Sequence, residues 1–406
     1  IADSKYQDYV LVATCLISNV TYIPLNKNLP ASKIKKILKN TKIDAIFEKN
    51  KFTILKNKKK LENIDNEEIA YIIFTSGSTG EPKGVKISRK SAEHYTKYLL
   101  KLFKNIKGKK FMQFANLGFD LSVVDVYGSI FSGSELHVPS EFDRQFPIKF
   151  IKEKKINIIV CVPSFVDILT ISPGLNSNDF KSLKTFFFCG EALYPRQLEK
   201  LFGFNNNLIA INAYGPTEAT VSCTEIKLNK NNYKKFSRGS ISIGKPINKM
   251  GLKFLTKGKY KEMYIAGPQL SLGYYGKKKL NFDKFKFING KRYFKTGDLI
   301  KSVNNNIYFA KRDDNQIKIK GYRVELSEIE NEVNSIIKLP VCSIYKNKKI
   351  TCFVETKKKI FLDEILFKLK KKIPNYMLPN KISPIKKIPK NINGKINRRK
   401  LFEIAR

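Results

Sequence analysis

Apolar residues along this chain recur at helical spacing in some stretches and gather into short blocks in others. Residues 7–25 read as a helix running into a short strand, Tyr22-Ile23-Pro24-Leu25. Residues 31–40 read as a basic amphipathic helix and 42–47 as a strand, while the Lys- and Asn-rich stretch 48–69 reads as a surface connection. An apolar strand over 70–74 is broken by Thr75-Ser76-Gly77-Ser78-Thr79-Gly80. From there to about residue 225, helices alternate with short buried strands such as 156–162 and 185–189. That alternation predicts an α/β fold with a largely parallel sheet. Over 241–317 the pattern turns to short strands and Gly-containing turns, which predicts an antiparallel, β-rich portion. Helices are expected over 324–338 and 361–373, and mostly loop from Pro374 onward. There is no internal repeat.

Composition narrows the function classes. With 406 residues and 42% hydrophobic content the chain can bury a large domain and a smaller one. Lys plus Arg is 77 against 35 for Asp plus Glu, a formal charge of +42. The excess is spread along the whole chain rather than gathered in a stripe or arm, which argues against a nucleic-acid partner. It would still attract an acidic protein. Cys15, Cys161, Cys189, Cys223, Cys342 and Cys352 show no C-x-x-C spacing, and there are two His, so a zinc site is not expected. Reduced core cysteines in a cytoplasmic protein are the plain reading. No apolar run approaches the roughly 20 residues of a membrane span.

The stretch from Tyr71 to Gly84 carries the first chemistry. A buried strand leads directly into hydroxyl and Gly residues. Gly lets backbone N–H groups approach a ligand, Ser and Thr hydroxyls can donate to phosphate oxygens, and Lys83 adds positive charge. The order differs from a Walker A loop, because Lys83 precedes Gly84. A second loop, Asn212-Ala213-Tyr214-Gly215-Pro216-Thr217-Glu218, displays a ring that can stack on a base, a hydroxyl for a phosphate and a carboxylate for Mg²⁺. Taken alone, it could be an ordinary turn with a buried Tyr.

Together these motifs resemble those of the adenylate-forming enzymes, which include acyl-CoA synthetases, luciferases and the adenylation domains of peptide synthetases. The resemblance runs from residue 71 to about 400. It implies a large N-terminal α/β domain of layered sheets and helices over 1–313 and a small mobile α+β lid domain over 314–406. Family members carry a longer segment ahead of the phosphate loop, so the N-terminus is expected to be truncated. The implied ATP ligands are Thr75, Ser76, Gly77, Ser78, Thr79, Gly80, Lys83, Asn212, Ala213, Tyr214, Gly215, Thr217, Asp298, Arg312 and Lys395. Asp298, in Tyr293-Phe294-Lys295-Thr296-Gly297-Asp298, would hold the ribose. Arg312 takes the family's nucleotide-contacting position, with Lys311 standing where Gly is usual. Glu218 would hold Mg²⁺, Asp314 would be the hinge, and Lys395, with Thr217 and Glu218, would be catalytic. The small domain would rotate after the first half-reaction and bring Gly321 to the thiol tunnel. Arg323 and Glu325 could instead form a surface ion pair.

Phe119-Asp120-Leu121-Ser122 separates branches of the family. An apolar context predicts that Asp120 is buried, and a buried carboxylate needs a cation, which a substrate ammonium would supply. The alternative is a helix cap. Phe186-Phe187-Phe188-Cys189-Gly190-Glu191 and Pro374-Asn375-Tyr376-Met377-Leu378-Pro379 are similar to D-alanine:carrier-protein ligases. By that resemblance Leu121, Val124, Cys189, Ala213 and Val221 line a small apolar pocket around the substrate side chain, although Cys189 could be an ordinary core residue. The implied activity is ATP- and Mg²⁺-dependent activation of a small amino acid, D-alanine favoured, and its transfer to the phosphopantetheine thiol of a carrier protein. An acyl-CoA synthetase and a truncated non-catalytic relative are the alternatives.

Overall fold

The computed structural model describes residues 1–3, 5–55, 69–77, 81–103, 107–170, 175–358, 360–390 and 396–405. Ser78, Thr79, Gly80 and Lys395 therefore lie outside the described residues. Among those described, the centre of the molecule is a seven-stranded sheet. Its order is Lys245–Pro246, Thr224–Leu228, Ile209–Tyr214, Thr185–Phe188, Ile158–Cys161, Lys110–Met112 and Glu135–His137. The last five run parallel, and the first two are antiparallel additions at one edge. The inner strands are buried throughout, as the continuous apolar runs require of a sheet covered on both faces.

Two further sheets flank it. Strands Ile69–Thr75 and Lys83–Ser88 form a hairpin extended by Gly273–Tyr274. The β-rich portion is antiparallel as expected: Gly251–Lys257, Tyr260–Ala266, Lys291–Val303 and Phe285–Ile288, with Asn306–Arg312 also paired to Lys291–Val303.

Apolar packing divides near residue 314. Two large clusters draw their buried members from Ala2 to Ile307, and two smaller ones from Ile319 to Leu401. The second group covers the hairpin Gln316–Ile319 and Tyr322–Glu325, the helices Leu326–Ile337 and Leu362–Leu369, and the strands Val341–Lys346, Lys349–Glu355 and Lys381–Ile385.

Three local readings differ from the sequence expectation. The segment 22–25 makes one bridge, Tyr22 to Tyr71, because Pro24 has no N–H to continue a ladder. The connection 48–69 includes a strand, Lys51–Ile54, that folds back on Ala45–Glu48. The tail after Pro374 is more ordered than its Pro and Asn content implies. Lys381–Ile385 pairs parallel to Lys349–Glu355, and helix Arg398–Ile404 is capped by the Asn397 side chain accepting from the Lys400 amide at 3.3 Å, with Leu401 buried. Tertiary partners decide these elements, and local composition does not contain them.

Backbone crowding fixes some glycines. Gly244 has φ +80°, and an added Cβ would overlap the Glu225 carbonyl across the strand pair that ends the central sheet. Gly244→Ala should lower the unfolding free energy by at least about 2 kcal/mol in urea denaturation.

Candidate active site

A cleft lies where the hairpin Ile69–Thr75/Lys83–Ser88, the Gly118–Asp120 turn and Gly321, Arg323 and Tyr376 meet. Thr75, Ser76, Asp120, Thr217, Gly321 and Arg323 all line it. Four of these six were expected at the site. Beyond residue 314 the wall comes from the hairpin Gln316–Ile319/Tyr322–Glu325, through Gly321 and Arg323, and from Tyr376.

The phosphate loop starts at the end of strand Ile69–Thr75 and returns along Lys83–Ser88, with Thr75 opposite Lys83. Gly77 is required, since a Cβ there would overlap the Glu81 carbonyl. The Thr75 hydroxyl is buried without a hydrogen-bond partner among the described residues, which suits a phosphate oxygen. The Ser76 hydroxyl donates to the Arg323 carbonyl at 2.6 Å. Lys83 is turned into the protein, 3.3 Å from Glu325 Oε1. Burial, then the nearby Arg323, lowers its pKa.

Strand Ile209–Tyr214 carries the second motif to the edge of the cleft. Asn212 and Ala213 are buried, and the Asn212 amide donates to the Ser242 carbonyl at 2.8 Å. Gly215 passes so close to Ser222 that a Cβ would lie 2.5 Å from its Cα. The Tyr214 hydroxyl donates to Asp298, and the Lys318 ammonium sits 5.8 Å from the Tyr214 ring centre. Arg312 joins Asp298 to the expected hinge. It donates to Asp298 Oδ1 at 2.7 Å and, through two nitrogens, to Asp314 at 2.8 and 2.6 Å. Gly297 leaves room for this cluster, with φ +75° and a Cβ position only 3.1 Å from Arg312 Nη2.

Glu218 is fully buried. Arg323 Nη1 donates to both its oxygens at 2.9 and 2.8 Å, and the Tyr274 hydroxyl donates at 2.6 Å. Burial alone would raise its pKa, but Arg323, Tyr274 and Lys83 outweigh that and hold it down to about 2. The proposed surface pair between Arg323 and Glu325 does not form: Arg323 pairs with Glu218, while Glu325 takes Lys83 and the Gln316 amide.

Asp120 lies in the same cleft, half-buried. Burial raises its pKa, opposed by the Thr217 hydroxyl hydrogen bond and by Lys318. Among the described residues it forms no ion pair. It is not a helix cap, because helix Ser122–Ser132 has Leu121 at its cap position and no side-chain cap bond. Leu121, Val124, Cys189, Ala213 and Val221 are all buried in one cluster. The Cys189 thiol lies 3.8 Å from the Val221 carbonyl, and burial pushes its pKa to about 11, as for a core thiol. Thr220 and Val221 both adopt left-handed backbone, φ +52° and +70°. The buried Gln269 holds that strained turn, with its amide 2.8 Å from the Ser222 carbonyl and its own carbonyl accepting from Thr220 at 2.7 Å.

Sequence reasoning missed Lys318, Tyr274 and Gln269. Lys318 had no visible signal in a chain with this many lysines. The others act through contacts between segments distant in sequence.

Comparison with known proteins gives the same assignment from independent ground. The family model for AMP-binding enzyme matches residues 3–275. The D-alanine--D-alanyl carrier protein ligase of Staphylococcus aureus (strain Newman) is 32% identical over 414 residues, covering 94% of this chain and 84% of that protein. The protein of the same name from Staphylococcus epidermidis is 30% identical, over 96% of this chain and 85% of its own length. Among solved structures, the Vibrio cholerae adenylation domain AlmE in complex with glycyl-adenosine-5'-phosphate superposes with a TM-score of 0.83 at 24% identity, covering 98% of this chain and 87% of that one. The Bacillus subtilis o-succinylbenzoate CoA synthetase MenE gives 0.79 at 19% identity, over 97% and 85%. These two show the fold. The matched length and the relatives together establish that the chain belongs to the AMP-binding enzyme family, with the adenylate-forming fold.

Proposed function

We propose that this chain activates a small amino acid, D-alanine favoured, as its adenylate and transfers it to the phosphopantetheine thiol of a carrier protein. The observation that carries this reading is Asp120: a half-buried carboxylate with no ion pair among the described residues, lining the same cleft as Thr75, Ser76 and Thr217. An α-ammonium would supply the cation. An acyl substrate without an amine would leave it uncompensated, which disfavours an acyl-CoA synthetase. The small, buried wall of Leu121, Val124, Cys189, Ala213 and Val221 fits a methyl side chain, and the names of the relatives agree with alanine of D configuration.

In the first half-reaction a substrate carboxylate oxygen attacks the α-phosphorus of ATP, and pyrophosphate leaves. Thr75, Ser76 and Gly77, with Ser78, Thr79 and Gly80, would cradle the phosphates. Tyr214, Asp298 and Arg312 would hold the nucleoside, with Asn212, Ala213 and Gly215 shaping that loop. Lys395 would bridge the carboxylate and α-phosphate and stabilise the charge developing there. Mg²⁺ would take Glu218 together with phosphate oxygens, a donor set that fits one carboxylate in reach of a triphosphate. Arg323 must leave Glu218 for that to happen. We place the domain boundary at 313/314, with Asp314 as hinge, since the Arg312 clasp and the division of the apolar clusters meet there. The six free cysteines suit a reducing cytoplasm, and no described helix is long and apolar enough to cross a membrane.

Three outcomes are expected. ATP–pyrophosphate exchange should be driven by D-alanine more strongly than by L-alanine and not by propionate; equal drive by propionate would contradict the amino-acid reading. Lys395→Ala should slow that exchange at least about 100-fold while transfer from preformed adenylate survives. Glu218 should also shape acid stability. Its folded pKa of about 2 lies below the ordinary 4.5, so its contribution is complete above pH 4.5 and disappears as pH falls towards 2. The wild type should therefore lose on the order of 2 kcal/mol more than Glu218→Gln between pH 5 and pH 3 in urea denaturation.

A further inference from the structure

Glu191 is a carboxylate whose partners are both backbone amides from different parts of the chain. Its Oε2 accepts from the Ser164 amide at 3.0 Å, and its Oε1 accepts from the Gly321 amide at 2.9 Å. Ser164 belongs to the central-sheet domain and Gly321 to the turn of the small domain's hairpin. In a chain carrying +42, Glu191 forms no ion pair among the described residues. Its charge is spent on two N–H groups, which are charge-assisted and directional.

The surrounding backbone explains why this position matters. Gly190 and Gly321 both have positive φ, +96° and +82°. A Cβ on Gly190 would lie 3.6 Å from the Gly321 Cα, and a Cβ on Gly321 would overlap Val162. Two bare backbones therefore abut, and Gly321 continues into the cleft that holds Asp120 and Thr217. Two residues further on, Arg323 takes both oxygens of Glu218. While Gly321 is held by Glu191, Glu218 is closed to a metal–triphosphate, so the clasped arrangement belongs after pyrophosphate has left.

We propose that Glu191 is a positioning residue for aminoacyl transfer, clasping the Gly321 turn of the small domain to the Ser164 loop of the large one. The proposal rests on the transfer reading above. In that step the thiol sulfur bonds to the adenylate carbonyl carbon, the bond from that carbon to the phosphate oxygen breaks, AMP leaves with the electron pair, and the thiol proton passes to water. Glu191 touches none of these atoms. It fixes the wall beside which they meet.

The test compares Glu191→Ala and Glu191→Gln with wild type in both half-reactions. D-Alanine-dependent pyrophosphate exchange should stay within about twofold, whereas single-turnover transfer to pantetheine should fall at least tenfold in Glu191→Ala and less in Glu191→Gln, which keeps one acceptor oxygen. A second readout needs no turnover. Asp167 and Lys348 approach to 3.8 Å across the two domains, and all six native cysteines are buried. In Asp167→Cys/Lys348→Cys, a short bis-maleimide should link the domains in high yield, and adding Glu191→Ala should cut that yield severalfold. Equal loss in both half-reactions would make Glu191 a structural residue of the large domain alone, and unchanged transfer with unchanged cross-linking would overturn the clasp. Should wild type show no amino-acid-dependent exchange, the transfer reading fails, and the cross-link still decides whether Glu191 joins the domains.

Discussion

A carboxylate removed from water has to find a cation, a set of N–H donors or a proton, and most of this site is organised by that requirement. Glu218 finds Arg323, Asp298 finds Arg312, Glu325 finds Lys83, and Glu328 on the small domain finds Lys33 on the large one. Glu191 is satisfied by two amides. Asp125, fully buried, accepts from the Phe114 amide but keeps one oxygen unpartnered among the described residues, and burial raises its pKa. Asp120 differs from all of these. It lines the cleft without an ion pair among the described residues, and the proposed reading assigns that place to a substrate ammonium.

The same requirement joins the parts of the chain on either side of residue 314. Four of these carboxylates find their partners across residue 314: Glu218 with Arg323, Glu325 with Lys83, Glu328 with Lys33 and Glu191 with the Gly321 amide. Breaking such a pair without a replacement would strand a buried charge. On the proposed reading, a metal-bound triphosphate at Glu218 would replace Arg323 there. Such an exchange of cations would give the hairpin a reason to sit differently before and after pyrophosphate leaves.

How much of this was legible in the sequence depends on how local each signal is. The hairpin Ile69–Thr75/Lys83–Ser88 was legible, because its strands are close in sequence, and Gly77 is needed there because the Glu81 carbonyl leaves no room for a Cβ. The parallel sheet and the antiparallel portion followed from block length and turn spacing. Cys189 and Val221 were named from motif resemblance, and they share one core cluster. What could not be read was pairing at a distance. Arg323 and Glu325, two residues apart on a strand, invited a mutual pair, but each crosses to the large domain. Strand Lys381–Ile385 exists because Lys349–Glu355 offers a free edge, which its Pro-bearing sequence does not announce. The strained Thr220–Val221 turn depends on Gln269, nearly fifty residues away.

The account stands most directly on Asp120 as the grip on the substrate amine. The decisive measurement is the KM for D-alanine and for ATP, each determined by pyrophosphate exchange, in Asp120→Asn and wild type. A rise of about 100-fold or more in the D-alanine KM with the ATP KM within a few-fold is the predicted result, in line with the loss of a charged partner from a desolvated pair. An unchanged D-alanine KM would contradict it.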